Sequence, residues 1–212
     1  MIRIIAVLLP LSIAFLHAPA QDPGADKILK SLQEKTRTYQ TIQAEFTYSV
    51  SQPAEEQHES LSGILYIKGD SYRLSLAGQL VVCDGETSWT YFENVREIQI
   101  NSVEEEDESF SPSKIFSSVF QDYTSHLSGE YEKYDRILHK IELTPQKSKS
   151  FSRITLGIDT SAMEIVDFEV TDKSGNRYSY HINRFSTNLP LGDDKFTFNV
   201  NAFPDAEIID MR

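Results

Sequence analysis

Apolar and polar residues alternate with a period of two through most of this chain, which is the pattern of β-strands with one buried face. The first such run carries its apolar residues at Ile42, Ala44, Phe46, Tyr48 and Val50. Further strands are predicted at Leu61–Lys68, Tyr72–Leu76, Gln79–Cys83, Thr87–Phe92, Val95–Asn101, Ile137–Thr144, Ser152–Asp159, Glu164–Thr171, Asn176–Phe185, Phe196–Val200 and Glu207–Asp210. We therefore predict a mainly β (α+β) protein whose sheet is antiparallel, strongly curved and built from about eleven strands.

Two segments have helical spacing instead. Asp22 followed by Pro23 predicts an N-cap and a first helical residue, and the helix is expected to end near Thr38. A second helix is predicted after Ser111-Pro112, with an apolar face formed by Ile115, Phe116, Val119 and Phe120. Such a helix either fills the core of a barrel or acts as a movable lid over an apolar space.

The segment between the strands and the second helix is acidic. Residues 104–108 are five consecutive Asp or Glu residues, which favours a solvated loop over a calcium site, because the glycine and alternating ligands of a chelating loop are missing. No repeat or low-complexity linker divides the chain. We predict one domain over residues 21–212.

The first twenty residues have the composition of a cleaved export signal. Arg3 supplies a positive start, Ile4–Leu16 is apolar, and Ala18-Pro19-Ala20 fits the cleavage pattern. This stretch is shorter than the roughly 20 apolar residues that span a bilayer. Because the single cysteine, Cys83, is far from the cleavage point, we expect an exported, soluble protein without a lipid anchor.

The net charge of the chain limits the classes of partner that it can bind. The chain has 20 Lys and Arg against 32 Asp and Glu, a net charge of −12, and removal of Arg3 with the signal makes it 19 against 32, or −13. Such a surface repels phosphates, so nucleic acid is not expected as a partner. One cysteine cannot form an internal disulfide, and the core must therefore supply the stability. We expect a monomer.

Motifs for catalysis are weak. Ser111-Pro112-Ser113-Lys114, Lys173-Ser174-Gly175 and Ser186-Thr187-Asn188 resemble the three elements of penicillin-interacting serine enzymes, but the last two stand in the wrong order. A helix N-cap at Ser111 and a hairpin turn at Ser174-Gly175 explain them better. The mature chain's histidines lack metal-ligand spacing. We predict neither an enzyme nor a metal or cofactor site.

Four segments in order resemble one family, the periplasmic outer-membrane lipoprotein carrier proteins (LolA-like). The segments are Ile42–Thr47, Gly63–Lys68, Asp84–Tyr91 and Phe196–Phe198. The resemblance implies an unclosed β-barrel with an α-helical lid. It also implies that the protein accepts acylated lipoproteins from an inner-membrane ATP-driven lipoprotein release complex and passes them to an outer-membrane lipoprotein receptor.

The resemblance also implies which residues contact lipid. Matched strand by strand, and with the apolar face of the second helix added, the expected lipid-binding residues are Ile42, Phe46, Leu65, Ile67, Tyr72, Leu74, Trp89, Tyr91, Ile115, Phe116, Val119 and Phe120. One position departs from the family. Where members commonly have Arg-Pro, whose arginine helps to hold the lid closed, this chain has Gly69-Asp70 after Lys68.

Three other functions fit the same sequence. A periplasmic sensor or regulator, or a general lipid-binding protein, uses the same fold, although sensors usually carry a second domain. A secreted hydrolase would need two carboxylates facing one cleft, and 32 acidic residues make such a pair conceivable in any fold. A lipoprotein carrier predicts copurifying lipid or acylated protein, and dependence on an inner-membrane ATPase.

Overall fold

The structure is a computed structural model that describes residues 22–53, 60–103, 120 and 122–212. Its helix, α1, spans Pro23–Thr36, two residues shorter than predicted. The Asp22 side chain caps it by accepting a hydrogen bond of 2.8 Å from the backbone N–H of Gly24. Proline at the first helical position costs nothing there, because that N–H has no partner inside a helix.

Twelve strands of the described chain form one sheet. In chain order they are β1 Ile42–Ser51, β2 Ser60–Lys68, β3 Ser71–Leu76, β4 Gln79–Cys83, β5 Thr87–Phe92, β6 Glu97–Ser102, β7 Tyr123–Lys133, β8 Arg136–Pro145, β9 Phe151–Asp159, β10 Glu164–Asp172, β11 Arg177–Thr187 and β12 Glu207–Asp210. Their order across the sheet is 12-6-5-4-3-2-1-11-10-9-8-7. The pairs are antiparallel except β12 with β6, which is parallel. The sheet curls without closing, as predicted.

Strand β7 is absent from the sequence prediction. Its alternation is interrupted by a bulge between Leu127 and Gly129, where Gly129 has a φ of +137° that side chains rarely adopt. The apolar residues Tyr123, Leu127 and Tyr131 are four positions apart, with only polar residues and glycine between them. Alternation with a period of two is therefore not visible in this segment.

The predicted strand Phe196–Val200 is wrong. Short 3₁₀ helices, Asp193–Phe196 and Val200–Ala202, occupy this part of the chain. At this edge of the sheet β12 pairs with β6, so the edge position beside β6 is already occupied and residues 196–200 have no strand to pair with there. The segment instead crosses one face of the sheet, and we call residues 190–206 the tail.

Helix α1 packs on one face of the sheet, which we call the helix face; the opposite face is the tail face. Ala25, Leu29 and Leu32 of α1 are buried against the middle of β8, β9 and β10. The sheet residues of this first cluster are Ile141, Leu143, Phe151, Ile154, Leu156, Ile158, Ile165, Phe168 and Val170. Tyr180 on β11 contacts this cluster and also a second one on β1–β4.

The N-terminus of α1 is attached to the edge strand β7. The Asp22 carboxylate accepts the backbone N–H of Leu127 at 3.1 Å, and the Ser125 hydroxyl donates to Asp26 at 2.5 Å. Hydrogen bonds from the Leu127 and Gly24 N–H groups lower the pKa of Asp22. The helix thereby satisfies polar groups that the edge of an open sheet would otherwise present to solvent.

The predicted acidic loop and most of the second helix, residues 104–119, lie outside the described residues. Within the described part of the chain, no helix is long and apolar enough to cross a membrane.

Candidate functional site

Six of the predicted lipid-binding residues lie together on the helix face. Cross-strand pairing places Ile42 opposite Ile67 and Ile67 opposite Tyr72, while Leu65 lies opposite Leu74. These five and Phe46 belong to one cluster with Ala44 and Cys83. Because side chains directly opposite on paired strands point to the same face, alternation in three strands produces one continuous apolar strip. We call this cluster the apolar strip.

The strip is closely packed at its β11 end. The backbone at Gly63 leaves room for the ring of Phe46, and a side chain at position 63 would overlap that ring. The Tyr180 ring lies 5.7 Å from Phe46 and 4.9 Å from Tyr48 between ring centroids. Burial raises the pKa of both Tyr180 and Tyr48, as expected for phenols in apolar surroundings.

At the β3–β4 end, away from Phe46, the side chains of the strip are less buried by the rest of the protein. Leu74, Leu76 and Val81 are partly exposed, although they pack against buried members of the strip. Apolar side chains that remain partly exposed on a curled face provide surface that an apolar ligand can still bury. The candidate ligand-binding surface is therefore the β3–β4 end of the strip.

Trp89 and Tyr91 lie on the other face, which corrects the expectation that they share one lining with Leu65 and Tyr72. Trp89 is opposite Val82 and Ile100, whereas its neighbour Ser88 is opposite Cys83 of the strip. On the tail face, Trp89 lies parallel to Phe198 at 6.2 Å. Tyr91 contacts Phe203 with ring centroids 4.2 Å apart. These aromatic residues pack against the tail.

The helix face of β5 and β6 is polar where Trp89 and Tyr91 were expected. Ser88 is opposite Asn101, and Thr90 is opposite Gln99. The apolar strip therefore ends at β4. The length of the turn between Cys83 and Ser88 decides whether the odd-numbered or the even-numbered residues of β5 lie on the helix face. Alternation within β5 shows that two faces exist, but it does not show which of them carries the helix.

The tail is held to the tail face by Lys68 and its neighbours. Lys68 Nζ lies 2.6 Å from the Asp193 carboxylate and 3.2 Å from the carbonyl oxygen of Leu191. The Lys195 ammonium lies over the ring of Tyr66 at 3.6 Å from its centroid. Since Tyr66 and Lys68 alternate with Leu65 and Ile67 of the strip, Lys68 holds the tail on the opposite face.

The second-helix residues are only partly placed. Ile115, Phe116 and Val119 lie outside the described residues. Phe120 is described, is partly buried, and packs against the first cluster beneath α1 rather than against the apolar strip.

The described residues offer little for catalysis. Lys173-Ser174-Gly175 forms the turn between β10 and β11, where the Asp172 carboxylate accepts the N–H of Ser174 at 2.8 Å, as the turn interpretation predicted. In the part of the chain that the structure describes, no three His, Cys, Asp or Glu residues are grouped so that they could hold a metal ion.

An open, curled sheet with an apolar strip on the face that carries its helix is typical of proteins that bind apolar ligands. A sequence model of one such family, the outer membrane lipoprotein carrier protein LolA, matches residues 37–199. The match covers more than half of the chain, and the protein belongs to this family. No curated protein sequence matches the chain significantly.

Solved structures resemble this chain at low sequence identity. An uncharacterized conserved protein from Thermus thermophilus is 15% identical with a TM-score of 0.59, covering 88% of this chain and 99% of its own. LprF from Mycobacterium bovis is 14% identical with a TM-score of 0.48, covering 81% and 99%. A LolA superfamily protein from Nitrosomonas europaea is 16% identical with a TM-score of 0.45, covering 82% and 97%.

Proposed function

We propose that this protein is a periplasmic carrier that binds the acyl chains of lipoproteins released from the inner membrane and delivers them to the outer membrane. The observation that carries the proposal is the apolar strip, in which residues from four adjacent strands form one surface on the face that also carries α1. The family match over residues 37–199 supports the same function.

The binding surface would be the β3–β4 end of the strip, with Leu74 at its centre. The buried residues Ile42, Phe46, Leu65, Ile67 and Tyr72 would form the layer beneath it. Leu74 and its partly exposed neighbours Leu76 and Val81 would bury an acyl chain first, because their surfaces remain accessible. The polar Ser88 and Thr90 beyond β4 would limit the strip on that side. Trp89 and Tyr91 take no part in binding under this proposal, since they contact the tail.

The free energy needed to extract a lipoprotein from the membrane indicates which partners the carrier needs. Each methylene buried in a membrane contributes about 0.8 kcal/mol, so three acyl chains with about 45 methylenes are held by roughly 35 kcal/mol. Non-covalent affinities saturate near about 18 to 21 kcal/mol, so a carrier alone does not remove such a lipoprotein. An ATP-driven release complex in the inner membrane must supply the difference. Delivery then needs only an outer-membrane receptor that binds the lipoprotein more tightly than the carrier does.

Transfer is testable with purified components. The mature protein would be incubated with inner-membrane vesicles that contain an acylated lipoprotein and the release complex, and then examined by native mass spectrometry. We expect a one-to-one adduct that requires both ATP and the acyl chains. Vesicles without ATP, and a lipoprotein variant that lacks the acylated cysteine, are the controls. An empty protein beside a release complex shown to be active would contradict the proposal.

A further inference from the structure

The two sides of the apolar strip differ in what lies next to them. On the β1 side, the Tyr180 ring lies 5.7 Å from Phe46 and 4.9 Å from Tyr48, and beyond Tyr180 the cluster beneath α1 occupies the helix face. On the β5 side, Leu74 and Val81 are partly exposed. A polar group does not fit among the packed rings. The polar end of an acyl ligand bound on the strip therefore belongs on the β5 side.

The residues on the β5 side are polar and uncharged. Leu74 lies opposite Val81, Val81 opposite Thr90, and Thr90 opposite Gln99, so the four form one row on the helix face. Since neighbouring strands are about 4.8 Å apart, Thr90 and Gln99 lie roughly 5 and 10 Å from Val81. Asn101 follows Gln99 on the same face of β6, and all three polar residues are partly exposed. We call Thr90, Gln99 and Asn101 the polar border.

The charge beside the polar border is negative. Arg73 is the one cationic residue of strands β3–β6, which are described in full, and it lies opposite Tyr66 on the tail face. Its guanidinium donates to the carbonyl oxygen of Lys195 at 3.4 Å. The charged residue on the helix face of these strands is Glu97, whose carboxylate accepts a hydrogen bond of 2.6 Å from the Gln99 amide.

The turns between these strands have the same sign of charge. Over residues 71–102, the two arginines Arg73 and Arg96 stand against four acidic residues, Asp84, Glu86, Glu93 and Glu97. An anionic group at the polar border would therefore meet a carboxylate rather than a cation.

We propose that the polar border selects acyl ligands whose polar part is uncharged. Thr90, Gln99 and Asn101 would form hydrogen bonds with the esters and amides that join acyl chains to the N-terminus of a lipoprotein, and phosphate-bearing lipids would bind more weakly. The inference rests on the proposed function, since the acyl chains would lie on the apolar strip.

The selection follows from hydrogen-bond chemistry. A hydroxyl and two amides offer both donors and acceptors, which match the carbonyl oxygens of esters and both groups of an amide. An ionised phosphate loses water when it binds and needs cationic donors to compensate for that loss. The polar border offers neutral donors, and Glu97 beside it repels the phosphate.

The test compares two lipids that carry the same two octanoyl chains. One is the amide of N-acetyl-S-dioctanoylglycerylcysteine, which is uncharged, and the other is dioctanoylphosphatidate. Their affinities would be measured by calorimetry below their micelle concentrations. We expect the unmodified protein to bind the uncharged lipid about tenfold more tightly, because the phosphate lacks charge-assisted partners.

Two substitutions of Thr90 test the residue directly. Thr90→Val keeps the shape but removes the hydroxyl, and should weaken binding of the uncharged lipid about fivefold while leaving the phosphatidate unchanged. Thr90→Lys adds a cation and should strengthen phosphatidate binding about tenfold. The matched controls are Thr87→Val and Thr87→Lys, which make the same changes at a partly exposed residue of the same strand on the tail face. We expect neither control to alter either affinity.

The outcomes separate this inference from the proposed function. Equal affinities of the unmodified protein for the two lipids would overturn the selection and leave the carrier proposal standing. The same would follow from equal gains in phosphatidate binding in Thr90→Lys and Thr87→Lys, since net charge rather than the polar border would then explain them. Failure of the unmodified protein to bind either lipid would contradict the proposed function itself.

Discussion

The two halves of the sheet place their apolar residues on opposite faces. In β8–β10, Leu156 and Phe168 lie beneath α1, and the tail face carries charged residues such as Glu142, Arg153 and Asp167. In β5 and β6, Trp89 and Ile100 lie on the tail face under the tail, and the helix face carries Ser88 and Gln99.

The difference shows that one sheet can bury either face, provided that another part of the chain covers it. Helix α1 covers the helix face of one half, and the tail covers the tail face of the other. The apolar strip lies between these regions, and there the described helix does not reach the partly exposed Leu74 and Val81. A ligand is therefore expected where the coverage changes from one segment to the other.

The largest expected effect is in the half beneath α1. Leu156 is fully buried there, and Leu156→Ala would leave a cavity that lowers the free energy of unfolding by about 2 to 5 kcal/mol. Leu80→Ala, at a partly exposed site on the tail face, is the control and should cost about 1 kcal/mol. Urea denaturation measures both. Equal costs would mean that the two halves are packed alike.

Trp89→Ala tests the other half. The change removes the contact with Phe198 and should lower the free energy of unfolding by about 2 kcal/mol. Because Trp89 faces the tail, we expect acyl-chain binding to stay within twofold of the unmodified protein. Loss of binding in a variant that remains folded by circular dichroism would place Trp89 in the binding surface after all.

Gly157→Ala probes the polar tail face. A methyl group at this position would occupy the place of the Tyr131 hydroxyl and break its hydrogen bond to Asp167, at a cost of about 1 to 2 kcal/mol. The same substitution in a Tyr131→Phe background should cost much less, because the hydroxyl is already gone. Equal costs in both backgrounds, measured by a double-mutant cycle, would contradict this explanation.

The smallest expected effect is a pH dependence. Burial alone would raise the pKa of Asp167, but hydrogen bonds from Lys133, Tyr131 and His181 lower it. The stabilising contribution of the carboxylate is therefore present above the unfolded pKa, near about 4, and is lost as the pH falls through the folded pKa. The difference in unfolding free energy between the unmodified protein and Asp167→Asn should therefore be larger at pH 7 than at pH 2.5. A difference independent of pH, measured by urea denaturation, would contradict the assignment of an ionised Asp167.

Local patterns predicted much of this fold. The cap at Asp22-Pro23 located α1, and alternation located β1 to β5 and the strip residues from Ile42 to Leu74. They did not predict features that depend on pairing between strands. The face of Trp89 depends on the register between β4 and β5, and the pairing of β10 with β11 ends at Asp167 and His181 although both strands continue.

The most direct test asks which face binds the acyl chain. Leu74 and Leu80 are partly buried residues of the β3–β4 hairpin, on the helix face and the tail face respectively. Binding of a fluorescent acylated peptide would be measured for Leu74→Asp and Leu80→Asp, after circular dichroism shows that both are folded. We expect Leu74→Asp to lose binding at least tenfold and Leu80→Asp to retain it. Retained binding in Leu74→Asp together with loss in Leu80→Asp would contradict the assignment of the binding surface to the helix face.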